Sequence, residues 1–350
     1  MKMEPFATVD VKKNVTETVT DLFASMLEME VSQTDTLTDA ALDGSRMVGA
    51  VHMAGDAMGV VSIHVSENLA RRMTGAMLGL NPDEGVEEDQ IKDVIGEISN
   101  IVSGNLKTAY VNADYQCVMS TPSMTSGNDF RIDPLNIAPI RRFIFKHQND
   151  NLVVEVCLKT QKGAMVRRSE ADKPTANEIQ KRIKSVDITA AIVNAVIDVY
   201  YTMLSMEVER TAETPESVAE TVRTVGTVTF AGDVDGIFTI NVSDAFAQLM
   251  AATMLDMPAE EITDEEQVHD VIREVSNIIG GNLKSAFSDT GLTCELSPPS
   301  VTHGRHFRIE PLGYAMPERF VFRYQDHPII VEAGVKKEID KDQAAARAIA

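Results

Sequence analysis

Glu97 and Asn100 stand three residues apart, and Glu274 and Asn277 repeat that spacing later in the same 350-residue chain. A carboxamide donates and accepts hydrogen bonds at once, so an outward-facing Asn can orient a water molecule without changing its own protonation. A carboxylate three residues away on a helix lies about 60° round the axis, where it can meet a cation on a partner. The pair therefore suits a hydrolysis in which water is placed rather than activated. Glu-x-x-Asn alone arises by chance in a chain of this length. Its weight comes from the elements that carry it.

The first pair falls on a long helix expected from about Glu87 to Asn112. At 100° per residue, Ile91, Val94, Ile95, Ile98, Ile101, Val102, Leu106 and Ala109 share an arc of about 140°, expected to bury against a sheet. Asp93, Glu97, Asn100, Gly104 and Lys107 share about 80° on the opposite side. The second copy repeats that polar stripe as Asp270, Glu274, Asn277, Gly281 and Lys284, although Lys92 has become His269, Gly96 Arg273 and Ser103 Gly280. Solvated faces of diverged copies ordinarily drift, so a retained one points to a task. Asp93 and Asp270 are read as docking groups or as plain solvated carboxylates, and Lys107 and Lys284 as surface charges. Gly104 and Gly281 either admit a partner's backbone or mark close helix packing. Asn105 and Asn282, toward the apolar side, are expected as hydrogen-bonded core amides. Arg273, immediately beside Glu274, is expected to crowd or pair with it.

The repeat is general. Residues 10–159 align with 187–336 at a constant offset of 177 without a gap, and 12 of the 20 positions from 91 to 110 are identical to their mates. So long a period is one domain used twice, each copy large enough for its own core. The expected division is a first domain over 8–160, a linker over 161–184, a second domain over 185–337 and a tail over 338–350. Each copy should open with an amphipathic helix, near 10–28, N-capped by Asp10 and presenting Val11, Val15, Val19, Leu22 and Met26. A hairpin turning at Ala54-Gly55-Asp56 follows, over 46–53 and 59–65. Ser66 then caps a second helix, broken at Asn81-Pro82-Asp83. After the long helix come four β-runs, near 115–120, 129–135, 142–146 and 152–158. The linker should pass into a short helix near 177–183. The fold class is α/β (α+β), two domains that are each a mostly antiparallel sheet covered by helices.

The chain resembles the CheC/CheX family of chemotaxis phosphatases, and CheX in particular. The resemblance rests on Asp93-x-x-x-Glu97-x-x-Asn100-x-x-x-Gly104-Asn105-x-Lys107 and its mate Asp270 to Lys284. Supporting it are Gly49-x-Val51-x-x-Ala54-Gly55-Asp56-x-x-Gly59 with its copy from Gly226 to Gly236, and Pro122-x-x-x-x-Gly127 with Pro299-x-x-x-x-Gly304. It implies hydrolysis of the aspartyl-phosphate on a CheY-like response regulator. The regulator would supply its own Mg and lysine, this chain would bind no cofactor, and the glutamates would dock to that lysine. Asp93, Gly104, Asp270 and Gly281 would line the partner-binding face. CheX-like subunits usually carry one motif and pair as dimers, so this chain resembles a pseudo-dimer written as one polypeptide and is expected to be monomeric. CheC holds two motifs in one shorter domain, which a 177-residue period does not match. The alternative is a non-catalytic scaffold of the chemotaxis or flagellar switch machinery, because fold alone does not decide function.

Composition narrows the classes further. A net charge of -21 argues against nucleic acid, which needs clustered Lys and Arg. No apolar run approaches the roughly 18 residues of a membrane span, and Met1-Lys2-Met3-Glu4-Pro5 opens no export signal. Cys117, Cys157 and Cys294 are an odd set without paired spacing, which suits a reduced, cytoplasmic setting. Cys117 and Cys294 are expected as buried mates on equivalent strands. His303-Gly304-Arg305-His306 has metal-binding residue types, but its mate is Ser126-Gly127-Asn128-Asp129, and no metal site is expected.

Overall fold

The structure is a computed structural model describing residues 9–35, 44–80, 85–133, 137–165, 173–213, 222–313 and 318–336. It forms two compact units, Met1–Met165 with Thr302–Leu312, and Val166–Val301 with Gly313–Ala350. The segment Thr302–Leu312, which the repeat assigns to the second copy, belongs to the first unit.

The first repeat runs α1 (Val11–Ser25), β1 (Ser32–Thr34), β2 (Arg46–Gly55), β3 (Ala57–Ser66), α2 (Glu67–Leu78), α3 (Glu88–Asn112), β4 (Cys117–Met119), β5 (Ser123–Asp133), β6 (Arg141–His147) and β7 (Asp150–Thr160). There follow α4 (Ala176–Ser185), α5 (Ile188–Leu204), β8 (Glu209–Thr211), β9 (Arg223–Gly232), β10 (Gly236–Ser243), α6 (Asp244–Leu255), α7 (Glu265–Ser288), β11 (Cys294–Leu296), β12 (Ser300–Pro311), β13 (Glu318–Tyr324) and β14 (His327–Val335). Strands of the first unit lie in the order β1-β6-β7-β3-β2-β5, with β4 also on β2. Those of the second lie in the order β8-β13-β14-β10-β9, with β11 on β9. These ladders are antiparallel, as the expected class requires. Among the described residues no single helix is long and apolar enough to cross a membrane, although the bent pair α4–α5 reaches that length and composition together.

Local chemistry sets most boundaries. The Asp10 carboxylate accepts from the Lys13 N–H at 3.0 Å, and Asp187 does the same for Ala190 at 2.9 Å. Val11, Val15, Val19 and Leu22 are buried, but α1 ends at Ser25 and leaves Met26 40% exposed, outside the core expected for it. Ser66 and Ser243 cap α2 and α6. α2 stops at Gly79, whose φ of 65° is the left-handed turn glycine favours. The breaker Asn81-Pro82-Asp83 lies outside the described residues, as do much of the connector (166–172), Pro134-Leu135 and the tail 338–350. Two strands escape their composition: β1 is only three residues long, and the first half of β5 is the polar run Ser123 to Asn128.

The long helices do not bury against the sheet alone. One core joins Ile91, Val94, Ile98 and Val102 of α3 to Val15 and Val19 of α1, Leu69 and Met73 of α2, and Met47, Val61 and Val154 of the sheet. The apolar arc is therefore shared between helices and strands. Toward β2, Ser99 and Ile95 of α3 approach the strand closely. A Cβ placed on Gly49 would lie 2.2 Å from Ser99 Oγ and 3.3 Å from the Ile95 carbonyl oxygen. On Gly226 of β9 it would lie 2.2 Å from Ser276 Oγ and 2.8 Å from Ile272 Cγ2. Ser99 and Ser276 turn their hydroxyls back onto the Ile95 and Ile272 carbonyls, each at 2.7 Å, so neither strains the interface with an unpaired donor. These contacts fix the helix against the sheet one residue before Asn100 and Asn277.

The other end of α3 is tied down by the hairpin. Asp56, at the tip between β2 and β3, is 2% exposed. Its carboxylate accepts from the N–H of Gln116, just beyond α3, and of Met165, each at 3.1 Å. Burial alone would raise its pKa, but the backbone N–H groups of Met165, Gln116, Ala164 and Gly163 outweigh burial and hold it below the usual value. Asp233 makes the equivalent tie in the second unit, accepting from the Thr293 N–H at 2.8 Å and its hydroxyl at 2.9 Å.

Three substitutions test this packing. Gly49→Val should destabilise the first unit by about 1–3 kcal/mol in urea unfolding, through overpacking. Gly75→Ala in α2, where an added Cβ meets nothing within 4 Å, should instead stabilise by about 0.5–1 kcal/mol. Asp56→Asn should cost about 1–3 kcal/mol near neutral pH. Because the folded pKa of Asp56 is depressed, its stabilisation is full above the unfolded value of about 4 and is lost as pH falls through the folded one. The gap between wild type and D56N in unfolding titrations should therefore narrow below about pH 4. A constant gap would refute the charged tie.

Candidate functional site

The outer stripe of α3 is built as the spacing predicts. Asp93 and Glu97 are exposed, while Asn100, Gly104 and Lys107 are half-buried. On α7, Asp270, Glu274 and Asn277 are exposed, and Gly281 and Lys284 are half-buried. None of Glu97, Asn100, Glu274 and Asn277 is held by a hydrogen bond or ion pair among the described residues. Both amides can thus offer donor and acceptor to one incoming water. Neither stripe contains a His or Cys, so its only charged oxygen ligands are carboxylates.

Among the described residues, a Cβ added on Gly104 or Gly281, one turn further on, would meet nothing within 4 Å. Their carbonyls accept from Thr108 and Ser285 hydroxyls at 2.9 and 3.0 Å, which leaves the outer surface bare of side chains.

Two expectations are corrected. Asn105 and Asn282 are exposed, not core amides. Along that side of α3 burial falls from Ile98 through half-buried Ile101 to exposed Asn105, while Leu106 and Tyr110 keep the core going beside it. Arg273 does not pair with Glu274. Its Nη1 donates to Asp270 Oδ1 and to Glu266 Oε1, each at 2.6 Å, and its side chain is buried. Lys92, noted in the sequence only as differing from its mate His269, is 9% exposed and bonded to Glu88 at 2.9 Å and Glu310 at 2.6 Å. Burial alone would lower its pKa, yet those two carboxylates push it up to about 12. A lysine at helical spacing from two acids was the available signal. Glu310, distant in sequence, was not.

The cysteines stand as expected. Cys117 and Cys294 open the matching strands β4 and β11, buried and unpaired, and burial pushes their thiols up to about 11 and about 12. Such thiols are poor nucleophiles.

One family model matches both halves of the chain. The family model of the chemotaxis phosphatase CheX matches residues 47–144 and again 224–322. No curated protein matches by sequence. Similar solved structures include the chemotaxis protein CheX from Vibrio vulnificus, at 24% identity and a TM-score of 0.38, covering 44% of this chain and 99% of that one. CheX from Desulfovibrio desulfuricans is 22% identical with a TM-score of 0.38, covering 43% and 100%. The CheX in a Borrelia burgdorferi complex with CheY, BeF3 and Mg is 20% identical with a TM-score of 0.34, covering 43% and 99%. With its two long helices and both halves matched by one family model, the chain belongs to the CheX family of chemotaxis phosphatases.

Proposed function

We propose that this chain hydrolyses the aspartyl-phosphate of a CheY-like response regulator at two sites, one on α3 and one on α7. An acyl phosphate is already activated toward water, and a regulator that brings its own Mg and lysine steadies the developing charge. What remains for the phosphatase is to place the water in line, which is a positioning task. Asn100 and Asn277 orient that water, and Glu97 and Glu274 meet the regulator's lysine from the same helix face. Asp93, Gly104 and Gly281 complete the docking surface, the glycines leaving room for the partner's backbone, while Asp270 lies on the same face but is held by Arg273. This chain then holds no cofactor of its own. The observation that carries the reading is the pair of unengaged, outward amides, each beside an unengaged glutamate, on equivalent helices.

The test is loss of acyl phosphate from phosphorylated receiver domains with wild type, Asn100→Ala, Asn277→Ala and the double variant. Each single variant should retain the activity of its intact site, and the double variant should fall about a hundredfold. A double variant as fast as wild type would show that the amides do not place the water. Binding without any change in decay would instead favour a scaffold.

A further inference from the structure

The two stripes carry the same residues but not the same free charges. In the first unit the buried cation is Lys92, and it engages carboxylates outside the motif, Glu88 at 2.9 Å, Asp89 at 3.6 Å and Glu310 at 2.6 Å. Asp93 and Glu97 are left without a partner among the described residues. In the second unit Lys92 is replaced by His269, 4.0 Å from Glu265, and the strong cation sits one turn later as Arg273. That turn brings it to Asp270, which it binds at 2.6 Å. The far end differs in the same sense. Lys284 is bound to Glu295 at 3.0 Å, whereas the residue equivalent to Glu295 is Val118 and Lys107 makes no ion pair among the described residues.

Arg273 is not fully satisfied by its two carboxylates. Its Nε and Nη2 are buried without a hydrogen-bond partner, and an under-satisfied buried guanidinium is commonly matched or bettered by an apolar residue of similar volume.

We propose that Arg273 is a specificity-determining residue: by sequestering Asp270 it leaves the second site one docking carboxylate, Glu274, where the first site offers two, Asp93 and Glu97. The inference rests on the phosphatase reading above. It makes the first site the tighter one for regulators whose active-site rim presents two cations, while regulators with a single rim lysine are handled alike by both. The difference belongs to docking, so it appears in KM and leaves kcat unchanged.

Single-site proteins separate the two effects. In the Asn277→Ala background, which keeps the first site, Asp93→Asn should raise KM about two- to fivefold for a receiver domain with two rim cations. In the Asn100→Ala background, Asp270→Asn should leave KM unchanged. Adding Arg273→Met there should lower KM about two- to fivefold, and Asp270→Asn should abolish that gain. Arg273→Gln frees the same carboxylate and should act alike, and unchanged thermal unfolding of both variants excludes misfolding as the cause. Equal responses to Asp93→Asn and Asp270→Asn, or no effect of either Arg273 substitution, would overturn the proposal while leaving the phosphatase reading intact. If the Asn100→Ala, Asn277→Ala double variant kept full activity, the phosphatase reading itself would fall, and this inference with it.

Discussion

Each long helix is held against its sheet where a serine meets a glycine, Ser99 on Gly49 and Ser276 on Gly226. The residue after each serine is the amide that faces outward. Because successive helical residues turn by about 100°, fixing the serine inward sets the direction of the asparagine as surely as a bond would. The hairpin carboxylates Asp56 and Asp233 hold the chain just past the other end of the same helices. The outer stripe is thus mounted on a rigid support rather than on a loop, as a water-positioning site demands.

Duplication lets the two copies be read against each other. Where they agree, in the Glu/Asn pair, the bare glycine and the serine beneath, the agreement spans both the outer face and its anchorage. Where they differ, the changes form a pattern. Removing Lys92 and introducing Arg273 moves one buried cation along the helix, and introducing Glu295 neutralises Lys284. The motif survives, while the charges around it are rearranged.

Much of this was legible in residue order. Helical periodicity located α1, α3 and the outward stripe, cap chemistry located Asp10 and Ser66, and turn chemistry located the hairpin tip. Each of these signals is local to one element. What stayed hidden depends on partners remote in sequence. The Gly49–Ser99 approach, the Asp56 contacts with Gln116 and Met165, and the Lys92–Glu310 pair each join segments that no periodicity relates. Asn105 and Asn282 differ from expectation for a related reason, since a helical angle toward the apolar side does not say how wide the covered face is, and buried Leu106 and Leu283 stand next to them. The polar half of β5 had no alternating pattern to reveal it.

The proposed water-placing role of Asn100 and Asn277 is tested most directly by a crystal structure of the chain bound to a receiver domain carrying beryllium fluoride and Mg. The account predicts Asn100 or Asn277 within about 3 Å of a water in line with the beryllium, and Glu97 or Glu274 on the receiver's lysine. A receiver docked away from α3 and α7, or one whose in-line water touches neither amide, would contradict it.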